Sequence, residues 1–237
     1  MRNPKVIPTE DVRQPAPVVS TLSPKWREDT AIITDELLET CRAWIRRYIV
    51  VSDEQAVVMA TWILHTYVFD AAETTPYIHI TAPEKECGKS RLMEVLEALA
   101  FDPISSGGTT AAALVRGIAA KPSTVFLDEM DALFKGNKEG AEAIRGILNA
   151  GFCKGKPFRK CNVTSHEIEE FDAFCPKCFA GIGKLPDTVS SRSVVIEMRR
   201  KLPREAVEPF RRRAVKEAAL PIKSKLKMWG AKKTANL

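Results

Sequence analysis

Gly88, Lys89 and Ser90 stand directly after an apolar run, Tyr77 to Thr81, and directly before a helical pattern. They form the second half of G-x-x-x-x-G-K-[ST], in which inward-turned backbone N–H groups surround a β-phosphate, the lysine neutralises the β/γ oxygens and the hydroxyl binds Mg²⁺. Pro83 takes the place of the first glycine, and it has no N–H and a φ fixed at about −65°. Gly-Lys-Ser alone is an ordinary helix start. With a strand before it and a helix after it, the segment Pro83, Glu84, Lys85, Glu86, Cys87, Gly88, Lys89, Ser90 and Arg91 is the expected nucleotide loop, with ATP as its ligand.

Roughly 40 residues downstream, the apolar run Val125-Phe126-Leu127 ends in Asp128-Glu129. A strand placed there is expected alongside the loop. Asp128, with Ser90, would hold Mg²⁺ through its water shell, and Glu129 would polarise the attacking water. Phosphoryl transfer needs little more than such positioning and charge stabilisation. An acid pair at a strand end is by itself only a strand exit; Lys89 and Ser90 are what single this one out. Further on, Arg192 lies just ahead of Val194-Val195-Ile196 and is the expected catalytic arginine, of the kind a neighbouring subunit often delivers. Its plain alternative is an ion pair with Asp187 on a surface loop. Arg199 and Arg200 are secondary candidates for a phosphate-sensing contact.

Alternating strand and helix patterns must position these groups. Strands are expected at 77–81, 123–128, 178–183 and 193–198. Helices are expected at 89–99, 109–119 and 139–149. Strands separated by helices imply a mostly parallel sheet covered on both faces, an α/β fold. Ahead of it, Thr34 reads as the N-cap of a helix burying Leu37, Leu38, Cys41, Trp44, Ile45 and Tyr48. Ser52 with Gln55 reads as a capping box opening a second helix. The expected organisation is a Pro-rich disordered leader at 1–30, a helical lead-in at 31–70, the nucleotide-binding core at 71–200 and a basic helical tail at 201–237.

The 237 residues carry a net charge of +6, but 13 Lys/Arg against three Glu fall within Met198 to Leu237, leaving the remainder acidic. A polyanion, if bound, is expected at that last segment, unless it is merely a solvated basic helix. The stretch Gly151 to Lys160 mixes Lys154, Lys156, Arg159 and Lys160 with Phe152 and Phe158, a composition that suits nucleic-acid contact as well as it suits a solvated loop. No run approaches the length of a membrane span and no secretory layout is present, so a cytoplasmic location is expected. Six cysteines do not make a disulfide scaffold. Cys175-x-x-Cys178 with Cys153, Cys161 and His166 is discounted as a zinc site because Cys178 falls on an apolar strand and the Cys153–Cys161 spacing matches no standard finger, Cys87 reads as a small residue tolerated in the loop, and His65 and His79 read as satisfied core or edge histidines.

Taken together, the motifs resemble a known group, the phage- and actinobacterial-type ATPase domains that lie beside or are fused to primases. The shared runs are Thr75-Pro76-Tyr77, Pro83 to Leu92, Leu127 to Asp131, Cys175 to Thr188 and Arg192-Ser193, and Pro83 belongs to that pattern. The group looks like a branch of the AAA+ and superfamily 3 helicase class of P-loop NTPases. The resemblance implies Mg²⁺-dependent ATP hydrolysis in the replication of mobile elements, in a bacterial host cytoplasm. It also implies a homo-oligomeric ring, single-stranded DNA as partner, a primase or other replication protein nearby, and a hairpin near Gly151 to Lys160 directed at DNA. The polar sensor such enzymes carry beside the Asp-Glu strand is open between Asn149, Lys184 and Thr188.

Overall fold

Short apolar runs linked by helix-length crossovers can satisfy their backbone groups by pairing in parallel. The computed structural model, which describes residues 24–106, 111–130, 138–161, 167–182 and 185–235, has this arrangement. In chain order the elements are α1 (Pro24–Tyr48), α2 (Asp53–Thr66), β1 (Tyr77–Thr81), α3 (Lys89–Glu97), β2 (Pro103–Ser106), α4 (Ala111–Ala120) and β3 (Thr124–Leu127). They continue with α5 (Lys138–Ala150), β4 (Phe158–Cys161), β5 (Ile168–Phe171), β6 (Lys177–Gly181), α6 (Asp187–Ser190), β7 (Ser193–Glu197) and α7 (Arg212–Thr234). Five strands make one parallel sheet in the order β2-β3-β6-β1-β7, and β4 with β5 forms a separate antiparallel hairpin.

The period-2 alternation of side chains sorts the core into two layers. Ile78, Ile80, Phe126, Cys178, Ala180 and Ile196 pack with α1, α2, α3 and α7 on one face. Tyr77, Val125, Leu127 and Phe179 pack with α4, α5 and α6 on the other. The α/β class and the parallel sheet flanked by helices are therefore as the sequence implied.

Several boundaries differ. Thr34 does not cap α1, which begins at Pro24, where proline is tolerated because a first-turn N–H has no helix partner. Instead the Thr34 hydroxyl accepts the Trp229 indole N–H at 2.9 Å. The leader lies outside the described residues up to position 23. The capping box of Ser52 and Gln55 is present on α2. The basic tail is docked: Val215, Ala219, Leu226 and Trp229 of α7 belong to the core. Strand β2 and the β4–β5 hairpin escaped the pattern. Pro103 opens β2, an edge strand, where a missing N–H costs least.

One lysine is buried completely. The Lys177 ammonium donates to the carbonyls of Ala173 at 2.8 Å, Cys175 at 3.0 Å and Gly151 at 3.4 Å, and lies 5.0 Å from the Tyr77 ring centroid. Burial pulls its pKa below the lysine range, while neighbouring Cys175 acts the other way. A Cβ at Gly151 would lie 2.2 Å from the Ala173 oxygen and 2.3 Å from Lys177 Nζ, so only glycine fits. Lys177→Met keeps the length but orphans three buried carbonyls; a stability loss of about 3 kcal/mol is expected in urea denaturation.

Candidate functional site

In a parallel sheet every strand ends at the same edge, and segments following strands are brought together there. The loop after β1 is one of them. Gly88 sits at φ 83°, a left-handed conformation that glycine adopts without strain, and it precedes α3 without any side-chain cap. The first helical bond runs from Leu92 N–H to Gly88 O at 2.9 Å. The N–H groups of Lys89, Ser90 and Arg91 are thus left for a ligand by helix geometry. Glu86 also lies at positive φ, 60°. Lys89 reaches back over the loop, its Nζ donating to Glu84 O at 3.0 Å. Pro83, Glu84, Lys85, Glu86, Ser90 and Arg91 are exposed, whereas Cys87 is buried with its thiol 3.7 Å from Lys85 O. Arg91 donates to Phe210 O at 3.0 Å and lies over the Phe210 ring, so it braces α3 against the C-terminal segment.

The acid pair follows β3 at the same edge. It is not beside the loop strand: β6 lies between β3 and β1, two strand spacings or about 10 Å across the sheet. Asp128 is half-buried, and burial first, then its nearby charge, push the Cys178 thiol on β6 well above the ordinary range. Glu129 is exposed at φ 54°, and its N–H donates to Asp128 Oδ1 at 2.8 Å. A non-glycine residue in that region stores strain, which points toward a functional position.

Arg192 does not join them. It precedes β7, and Tyr77 pairs with Ser193 while Thr81 pairs with Glu197, so Arg192 stands at the opposite edge of the sheet, about 16 Å along the strands. Its guanidinium donates to Asn149 Oδ1, not to Asp187, and lies 5.5 Å from the Phe152 ring centroid. Within one chain it does not reach the Lys89 loop; a catalytic role is open to it only toward another copy. Asn149 is at that far edge too, which removes it as a sensor beside Asp128. Lys184 lies outside the described residues.

The sequence offered no signal for a cleft of about 490 Å³ bordering the loop, lined by Val50, Val51, Ser52, Gln55, Pro83, Glu197, Met198 and Arg199. Gln55 holds it together, its amide donating to Glu197 O at 3.0 Å while Met198 N–H donates to Thr81 O at 2.7 Å. Val50 and Val51 lie in the link between α1 and α2, and β7 brings the opposite wall to them. Arg200 reaches the loop directly, bonding Glu86 at 3.1 Å, whereas Arg199 is paired with Glu205, whose carboxyl it holds down to about 2.

Comparison with known proteins adds little. No protein-family model matches the chain, and no curated protein matches it in sequence. Among solved structures it is similar to "The A form apo structure of NrS-1 C terminal region-CTR", with a TM-score of 0.46 and 16% identity over 82% of this chain and 45% of that one. This chain therefore spans under half of that one, and a likeness so distant bears on neither ligand nor activity.

The remaining constellations are structural. Cys175 and Cys178 are buried thiols with raised pKa, Cys161 is exposed on the hairpin, and His166 lies outside the described residues. His65 Nε2 is 2.8 Å from Thr75 Oγ1. His79 is buried with its Nε2 unpartnered among the described residues, against the expectation of a satisfied histidine. Most of the cations and both aromatics of the Gly151 to Lys160 stretch are engaged within the chain, and Lys156 is exposed. Lys154 pairs with Asp70 at 2.9 Å, Arg159 with Glu170 at 2.6 Å, and Lys160 stands opposite Glu169, while Phe152 and Phe158 pack inward. No helix among the described residues is long and apolar enough to cross a membrane.

Proposed function

We propose that the chain binds Mg-ATP and hydrolyses it as an AAA+-like P-loop ATPase, working as a helicase-like or primase-associated motor in the DNA replication of a phage or mobile element. The observation that carries the reading is the shared sheet edge: the uncapped α3 N-terminus with Lys89 follows β1, and Asp128 and Glu129 follow β3, with only β6 between the two strands. The oxygen donors at that edge, the Ser90 hydroxyl and the Asp128 carboxylate, are the hard ligands Mg²⁺ takes. When bound, Mg²⁺ would neutralise charge developing on the β/γ oxygens. The N–H groups of residues 88–91 orient the phosphates, and Lys89 exchanges the Glu84 carbonyl for a phosphate oxygen. Glu129, strained and exposed, accepts a hydrogen bond from the attacking water. The cleft walled by Val50, Val51 and Met198 suits an apolar base adjoining the loop.

DNA replication and a homo-oligomeric ring enter through the resemblance of the sequence motifs, and in such a ring Arg192 would serve the next copy's phosphates. Purified protein is expected to release phosphate from ATP only with Mg²⁺, faster in the presence of single-stranded DNA. A chain that neither binds nor turns over ATP at millimolar Mg²⁺ contradicts the reading. Turnover indifferent to DNA, with no strand displacement, would favour a non-motor switch that recruits a replication or packaging partner.

A further inference from the structure

With Lys154 and Arg159 paired, the densest run of positive charge among the described helices is at the C-terminal end of the chain. Helix α7 carries eight Lys/Arg and one acid, Glu217. Its inner side is fixed to the body by Leu226 and Trp229, with Arg212 held to Glu94 on α3. Elsewhere many cations are matched, as Arg47 is with Glu208, Arg159 with Glu170, Arg199 with Glu205 and Arg200 with Glu86, while Arg116, Arg145 and Lys156 stand singly outside α7. Among the described residues Lys216, Lys225 and Lys227 form no ion pair.

Lys216, Leu220, Lys223 and Lys227 recur at intervals of four, three and four, which places them on one stripe about 16 Å long. Lys223 is half-buried, and burial, Lys227 and Lys216 all lower its pKa while Asp102 and Glu97 oppose them. Three ammonium groups along one flank of the helix repel one another. A polyanion relieves that repulsion. Leu220 stands 58% exposed in this stripe, which borders a cleft also lined by Glu94 and Glu97, and Met228, 61% exposed, lies on the adjoining side of the helix. Apolar side chains between cations suit a strand whose bases are unstacked, because a duplex hides its base faces.

We propose that the flank of α7 bordering α3 and β2 is a docking surface for single-stranded DNA, with Lys216, Lys223 and Lys227 on the phosphates and Leu220 against the bases. The surface does not depend on the ATPase reading, and its test uses no nucleotide. The full chain is titrated against a fluorescent oligothymidylate by anisotropy at several NaCl concentrations. The wild type is expected to bind with a salt slope of about −0.7 per phosphate contacted. Changing Lys216, Lys223 and Lys227 together to Gln makes that slope shallower by about 2 and weakens binding at least tenfold at low salt. Changing all three to Arg retains binding, and the hairpin pair Lys156→Gln and Lys160→Gln leaves it unchanged. The proposal is overturned if the wild type does not bind at low salt, or if the Gln variant keeps the wild-type slope. It is equally overturned if the hairpin variant loses as much, or if phosphatidylserine vesicles bind and the oligonucleotide does not.

Discussion

Lys89→Ala is expected to weaken ATP binding by about 10- to 100-fold, the worth of a charge-assisted hydrogen bond to phosphate, and to slow turnover by a further 10²- to 10³-fold. The reason is positional. Lys89 begins α3 with no cap before it, and its Nζ donates to Glu84 O across the loop, ready to be transferred to a phosphate oxygen. That hydrogen bond is exposed, so its loss leaves stability within about 0.5 kcal/mol of wild type. A fluorescent nucleotide titration with a thermal melt separates the two effects. Affinity within twofold of wild type would remove Lys89 from the site.

Glu129→Gln is expected to do the reverse: ATP still binds, while turnover falls by about 10²- to 10⁴-fold, the usual range for a general base. Glu129 occupies a left-handed conformation at φ 54°. Relieving that strain costs function but not stability, so Glu129→Gly should match the Gln variant in lost turnover and melt at the same temperature or higher, with a gain of up to about 1 kcal/mol. Single-turnover phosphate release and a melting curve on the two variants check this. An unchanged ATPase rate in the Gln variant would remove the base assignment.

The loop and the acid pair were legible because both follow strands, and in a parallel sheet everything that follows a strand arrives at one edge. By the same rule Arg192, which precedes β7, is delivered to the other edge, so only its role toward a neighbouring copy stays open. Strand order was not legible: nothing local indicates that β6 enters between β1 and β3. Lys177 reads as a surface cation until three carbonyls are found around it. The hairpin's apparent affinity for DNA depended on composition, whereas cross-strand pairing of Arg159 with Glu170 is set by register. The Val50–Val51 cleft has no local signature because half its wall comes from β7.

The most direct measurement is a crystal structure of the protein with Mg²⁺ and a non-hydrolysable ATP analogue. The expected complex has the β- and γ-phosphates on the N–H groups of residues 88–91, Lys89 turned from Glu84 O onto phosphate, and Mg²⁺ between Ser90 and the water shell of Asp128. A triphosphate bound elsewhere, or Lys89 still on Glu84 with nucleotide present, would contradict it.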